Sequence, residues 1–198
     1  MMKNKYSATI SKEEIQDKPL IQFKGNIHII DNPSQANIAI SELNKQKYIG
    51  FDTETKPSFK KGKKNKVAIL QLATESDAYL FRLHKYFPMD VIDIMESKDI
   101  IKIGAAIKDD LSGLQKYHNF NPQGFLELQD FVKQYNIENN GLKKLTAIIL
   151  DSRISKGQQT SNWENEILSE SQQLYASTDA WICLKIYNTL TSDQVNKT

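Results

Sequence analysis

The chain has 198 residues, 39% of them hydrophobic and 25% charged, a balance that fits one globular domain able to bury a sizeable core. Its net charge of +2 argues only weakly for nucleic acid, no apolar run reaches the ~20 residues that span a bilayer, and MMKNKYSATISKEEIQ lacks the apolar stretch of a secretory leader, so a cytoplasmic protein with no membrane partner is expected. One cysteine, Cys183, and the scattered His28, His84 and His118 exclude a disulfide framework and a cysteine-based metal site, so any bound metal must rest on carboxylates, which favour hard cations such as Mg2+ or Mn2+.

Residues 1–18 are polar and are expected to be poorly ordered, with one helical turn begun by Ser11 and Glu14 in a capping-box pattern. Residues 20–30 read as a strand with a turn at Gly25-Asn26, and Asp31-Asn32-Pro33-Ser34 starts a helix that runs to Lys45. Strands follow at 48–55, 67–73 and 78–83, with the loop 56–65 after the first of them. A short helix at 91–97, a strand at 100–104 and a helix at 107–118 come next. Residues 124–128 lead into a helix around 129–135, and another helix spans 142–150. A loop at 151–169 precedes a final helix at 171–190. No repeat or linker divides the chain, which predicts one α/β domain with a mixed sheet over 19–192 and a short tail at 193–198.

Four acids stand in unusual places. Asp52 and Glu54 are two apart in a strand, so they share a face with Gly50, while Ile49, Phe51 and Thr53 point the other way. Two like charges there are costly unless a cation compensates or the face is a wet sheet edge. In helix 107–118, Ile107, Leu111, Leu114 and His118 form the apolar stripe. Asp110 lies beside that stripe, whereas Asp109 lines up with Ser112, Gly113 and Lys116, so Asp110 is the inward acid. An acid near a helix start is also favoured by the helix dipole alone. In the last helix the stripe of Ile182, Cys183, Ile186 and Leu190 extends back to Asp179 and Tyr175, four apart on one face. A plain Tyr–Asp hydrogen bond would account for that pair in isolation. Taken together, three segments each offer an acid on the buried side with no matching base, which implies bound cations. The lysines at 56, 60, 61, 63, 64 and 66 follow the first acid pair directly and fit either a solvated loop or a phosphate contact.

The segments IGFDTET, KIGAAIKDDLSGL and YASTDAW resemble the three motifs of the DEDD superfamily of 3′–5′ exonucleases. Tyr175, four before Asp179, is similar to the tyrosine-bearing subclass; the histidine-bearing one would place a histidine where Leu174 stands. NKVAILQLAT, GLKKL and QQTSNWE extend the resemblance over roughly residues 20–190, nearest the group of Werner syndrome protein exonuclease domains and bacterial stand-alone relatives. The resemblance implies a ribonuclease-H-like α/β fold, a central mixed sheet flanked by helices. It implies that Asp52, Glu54, Asp110 and Asp179 hold two Mg2+ or Mn2+ ions and that Tyr175 positions the attacking water. The spacing from Gly104 also selects Asp110. The activity implied is hydrolysis of nucleic acid from the 3′ end to nucleoside 5′-monophosphates, with DNA favoured. Thr53 and Thr55 would lie near the terminal nucleotide, and Lys61, Lys63 and Lys64 near phosphate. Trp163 would either stack on a base or anchor its loop to the core. A helicase on a separate chain is a candidate partner. A ribonuclease D-like RNA-trimming enzyme would use the same acids, and an inactive nucleic-acid-binding module would show the loss of one, which is not seen.

Overall fold

The computed structural model describes residues 5–58 and 65–195. Among them, six strands form one sheet: β1 (Asn26–Ile30), β2 (Tyr48–Thr55), β3 (Val67–Ala73), β4 (Asp77–Arg82), β5 (Ile101–Gly104) and β6 (Phe125–Glu127). Their order is β1-β4-β3-β2-β5-β6. The β2/β3 and β3/β4 pairs are antiparallel, and the β1/β4, β2/β5 and β5/β6 pairs are parallel, so the sheet is mixed as expected. β3 is buried along its whole length, the outcome a near-continuous apolar run dictates for a central strand.

The helices are α1 (Lys12–Gln16), α2 (Pro33–Leu43), α3 (Val91–Glu96), α4 (Ile107–Leu114), α5 (Leu128–Phe131), α6 (Leu142–Leu150) and α7 (Glu170–Val195). α2, α3 and α4 cover one face of the sheet, over a core that includes Ile49, Phe51, Leu70 and Leu72. α5, α6 and α7 cover the other, with Ile103, Leu145, Ile182 and Ile186 between the layers. α2 starts where its signals predict: the Asn32 side chain accepts from the Gln35 N–H at 3.1 Å, and Pro33 occupies the first turn. No helix among the described residues is long and apolar enough to cross a membrane.

Several boundaries differ from the sequence reading. Only residues 26–30 of the expected strand 20–30 pair in the sheet; Leu20 makes a single bridge to Arg153. The N-terminal stretch, expected to be poorly ordered, is tied to the body from residue 5 onward. The Ser11–Glu14 capping box is complete, Ile15 is buried, the Glu138 N–H donates to the Ala8 carbonyl, and the Tyr6 hydroxyl donates to Asp193. The expected tail is correspondingly shorter, because α7 continues through Val195. The helix expected to reach residue 118 stops at Leu114, where the Tyr117 hydroxyl turns in to donate to the Val67 carbonyl at 2.6 Å. β6 was not anticipated, since three residues are too few to show a period.

Candidate active site

The site lies on the α7 side of β2. Gly50, Asp52 and Glu54 share that face, as the strand period requires, while Ile49 and Phe51 enter the opposite core. Gly50 is there because α7 crosses it closely: a Cβ at this position would lie 1.9 Å from the Ala180 carbonyl oxygen. That close crossing brings Asp179, the residue before Ala180, down beside the acid pair. Carboxylate oxygens of Asp52, Glu54 and Asp179 all lie within 4.8 Å of one another.

Asp110 reaches the same region from α4 but stands outside that trio. It accepts a hydrogen bond from the Thr53 hydroxyl, while its neighbour Asp109 is exposed, as the helical stripe predicts. The Thr53 side chain is thus committed to an acid, a role the sequence reading did not give it. α4 lacks a side-chain cap of its own, and Ala106 ahead of it adopts left-handed backbone angles (φ 63°, ψ 38°). Glu127, at the end of β6, supplies the missing acceptors: its carboxylate takes the Ala106 N–H at 3.0 Å and the Ile107 N–H at 2.9 Å. Sequence reasoning missed Glu127. The only available signal was the absence of Ser, Thr, Asp or Asn before Ile107.

Tyr175 and Asp179 are one turn apart on α7, and the tyrosine hydroxyl donates to the aspartate carboxylate. The Tyr175 ring packs against Trp163, with centroids 5.9 Å apart. Trp163 is completely buried beside Ile69, Leu80 and Leu168. It therefore anchors its loop and supports Tyr175; neither ring face is open to stack on a base, which corrects that alternative. The same loop is held by Arg82, which donates to the Glu166 carbonyl at 2.7 Å and to the Asn165 carbonyl. Lys56 pairs with Glu164 at 3.0 Å across the site's rim. Thr55 and Thr53 line a cleft of about 720 Å3 beside Asp110, together with Asn65, Lys116 and Gln159. A smaller cavity of about 120 Å3 opens beside Tyr175 and Asp179 under Ser155 and Gln158. Lys61, Lys63 and Lys64 lie outside the described residues.

The electrostatics follow from burial and crowding. Burial, then Asp179, Asp110 and Glu54, raise the Asp52 carboxyl well above its usual range, against a hydrogen bond from the Thr53 N–H. Glu54 is pushed up to about 9 by burial and by Asp179 and Asp110. Asp179 rises to about 7 through burial, opposed by the Tyr175 hydroxyl and by Lys156. Asp110 rises to about 6 through burial, opposed by Thr53 and assisted by Asp109 and Glu127. Burial and the same carboxylates raise the Tyr175 phenol far above its ordinary value. Burial and crowding thus oppose ionisation of all four acids, and an added positive charge would relieve that opposition. Three convergent, hard oxygen donors fit a divalent cation, and no cysteine or histidine joins them.

The family model for 3′-5′ exonuclease matches residues 27–194. The bifunctional 3′-5′ exonuclease/ATP-dependent helicase WRN of Mus musculus is 32% identical over 195 residues, covering 92% of this chain and 14% of the mouse protein. The exonuclease mut-7 homolog of Aedes aegypti is 28% identical, covering 84% of this chain and 27% of the mosquito protein. The chain therefore spans less than a third of either relative. The Aedes aegypti Nibbler EXO domain superposes with a TM-score of 0.77 at 27% identity, covering 87% of this chain and 90% of that domain. Escherichia coli RNase D shares the fold at a TM-score of 0.75 and 18% identity, over 85% of this chain and 45% of its own. This chain belongs to the 3′-5′ exonuclease family.

Proposed function

We propose that the chain removes nucleotides from the 3′ end of DNA as 5′-monophosphates, with Mg2+ or Mn2+ held by its four acids. The observation that carries this reading is the convergence of Asp52, Glu54 and Asp179 within 4.8 Å, with Asp110 fixed nearby by Thr53. Asp52 is crowded by all three other acids and would hold the cations together with them. Glu54 and Asp179 would hold the ion on the Tyr175 side, and Asp110 would support the other. When bound, the cations supply an activated water and compensate charge on the phosphate and the leaving 3′ oxygen. Tyr175 keeps its single proton, which Asp179 accepts in this structure; with Asp179 on a cation that O–H would turn to the attacking water and orient it, and the tyrosine does not act as a base. Thr55, Asn65 and Lys116 line the cleft where the substrate strand would approach. DNA is the substrate that the resemblance of the three motifs to Werner-type exonuclease domains implies, and the mouse relative is named as an exonuclease joined to a helicase. That protein joins both activities in one chain, which motivates a helicase on a separate chain as partner.

The test is degradation of 5′-labelled single-stranded DNA, recessed-end duplex DNA and RNA of the same sequence, with Mg2+, Mn2+ or chelator. A metal-dependent ladder shortening from the 3′ end, strongest on DNA and lost in folded Asp52→Ala, is the expected result. Ladders on RNA alone would move the substrate to RNA with the same acids. Full activity in Asp52→Ala would remove the assignment of the acids.

A further inference from the structure

β3 carries six apolar residues and one polar one, Gln71. Its side chain is completely buried, and neither the amide nitrogen nor the amide oxygen has a hydrogen-bond partner among the described residues. Burying an amide in this way is destabilising, and an apolar side chain of similar length would fill the same volume without that cost. The core therefore gives no reason for an amide at this position.

The sheet register gives one. Gln71 is the partner of Asp52 across the antiparallel β2/β3 pair. Residues opposite one another in such a pair emerge on the same face, with Cβ atoms about 4.5–5.5 Å apart, well within reach of a glutamine and an aspartate. Along β3 and across β4 the neighbours on that face are apolar, Ile69, Ala73 and Leu80, so the polar groups the sheet brings to Gln71 are the acids of β2, Asp52 directly opposite and Glu54 on the diagonal. Asp52 itself accepts from the Thr53 N–H at 2.9 Å through Oδ1, which leaves further acceptor capacity on the carboxylate.

We infer that Gln71 is a positioning residue for Asp52: the bond is not made in this structure, and with a divalent cation on the carboxylate the Gln71 Nε2–H would donate to Asp52 and fix its orientation toward the ion. The inference rests on the reading that Asp52 is a metal ligand. Outer hydrogen-bond partners of metal-binding carboxylates hold the ligand at the angle the ion requires, and removing one weakens metal binding by about 10- to 100-fold. Gln71 is the one polar side chain on β3, and its amide is idle until that bond is made.

Gln71→Met and Gln71→Leu test it, with Mn2+ as the probe. Mn2+ affinity is measured by isothermal titration calorimetry on the full chain, beside thermal denaturation in EDTA and kcat and KM on a 3′-recessed DNA. The expected pattern is a metal-free Tm equal to or above wild type, Mn2+ binding weakened by about 10- to 100-fold, and a lowered kcat with KM for DNA unchanged. A packing role predicts the reverse: a lower metal-free Tm and wild-type Mn2+ affinity. Wild-type Mn2+ affinity in either folded variant overturns the inference. If the wild-type protein binds no Mn2+, the metal-ligand reading of Asp52 fails first, and this inference with it.

Discussion

Tyr175 shows how one residue's surroundings restrict its chemistry. Its hydroxyl donates to Asp179, its ring lies on the buried indole of Trp163, and burial beside three acids raises the phenol far above neutral pH. Such a group can give a hydrogen bond but cannot take a proton from water. Tyr175→Phe keeps the ring and its packing and removes only the donor. Loss of one charge-assisted hydrogen bond of about 1.5–3 kcal/mol corresponds to roughly a 10- to 100-fold fall in kcat. Mn2+ affinity should fall as well, because the lost hydroxyl also donates to the Asp179 carboxylate, so the comparison is made with metal at saturation. Single-turnover kinetics at saturating Mn2+ measure this directly, and a wild-type rate in the variant would deny the tyrosine any part in orienting the water. Trp163 acts through Tyr175. Anchoring was one of the two readings the sequence left open for Trp163; what could not be read is what covers it, because Ile69, Leu80 and Leu168 come from three different segments.

At the scale of elements, the parts of the site that were legible are those set by a local period. Two-residue spacing put Asp52 and Glu54 on one face of β2; helical spacing selected Asp110 over Asp109 and stacked Tyr175 on Asp179. What escaped the sequence depends on which strand lies beside which. The bond from Thr53 to Asp110, the placement of Gln71 across from Asp52 and the capping of α4 by Glu127 all require the sheet order and register. β6 escaped for the same reason: it pairs with β5 through three residues, Phe125, Leu126 and Glu127, that carry no alternation of their own. Yet β6 determines where α4 starts. Glu127 takes two backbone N–H groups at the left-handed Ala106 and at Ile107, and so sets the direction from which Asp110 approaches the site. Glu127→Ala should destabilise the protein by about 1–2 kcal/mol, the loss typical of a helix cap. It should lower activity by more than that loss of folded protein explains, because Asp110 is displaced. Denaturant midpoints read beside kcat separate the two effects. A variant that is less stable but fully active would confine Glu127 to a structural role.

The whole molecule stores the repulsion of its acids, and that makes its stability depend on pH and metal together. A carboxyl whose pKa is raised on folding holds more protons folded than unfolded in the interval between its two values, so stability falls as pH rises through that interval. Unfolded carboxylates titrate near 4, whereas in the folded chain Asp110 is raised to about 6, Asp179 to about 7 and Glu54 to about 9. In EDTA the chain should therefore lose stability from about pH 5 to pH 8. The window ends there because the buried Lys102 amine, lowered to about 8, begins to act in the opposite sense above it. A divalent cation replaces the missing protons, so Mn2+ should raise Tm more at pH 8 than at pH 5. Asp52→Asn replaces the carboxyl at the centre of the cluster by a neutral amide that has no ionisation to oppose. It should raise the metal-free Tm at pH 8 by about 2–4 °C, the shift that ~1 kcal/mol produces in a domain of this size, and should abolish most of the Mn2+ effect. Differential scanning fluorimetry across this pH range, with EDTA or Mn2+, measures all of these at once. A Tm in EDTA that is flat or rising from pH 5 to pH 8 would mean that the acids are already compensated without metal, and that their crowding is not what draws cations to the site.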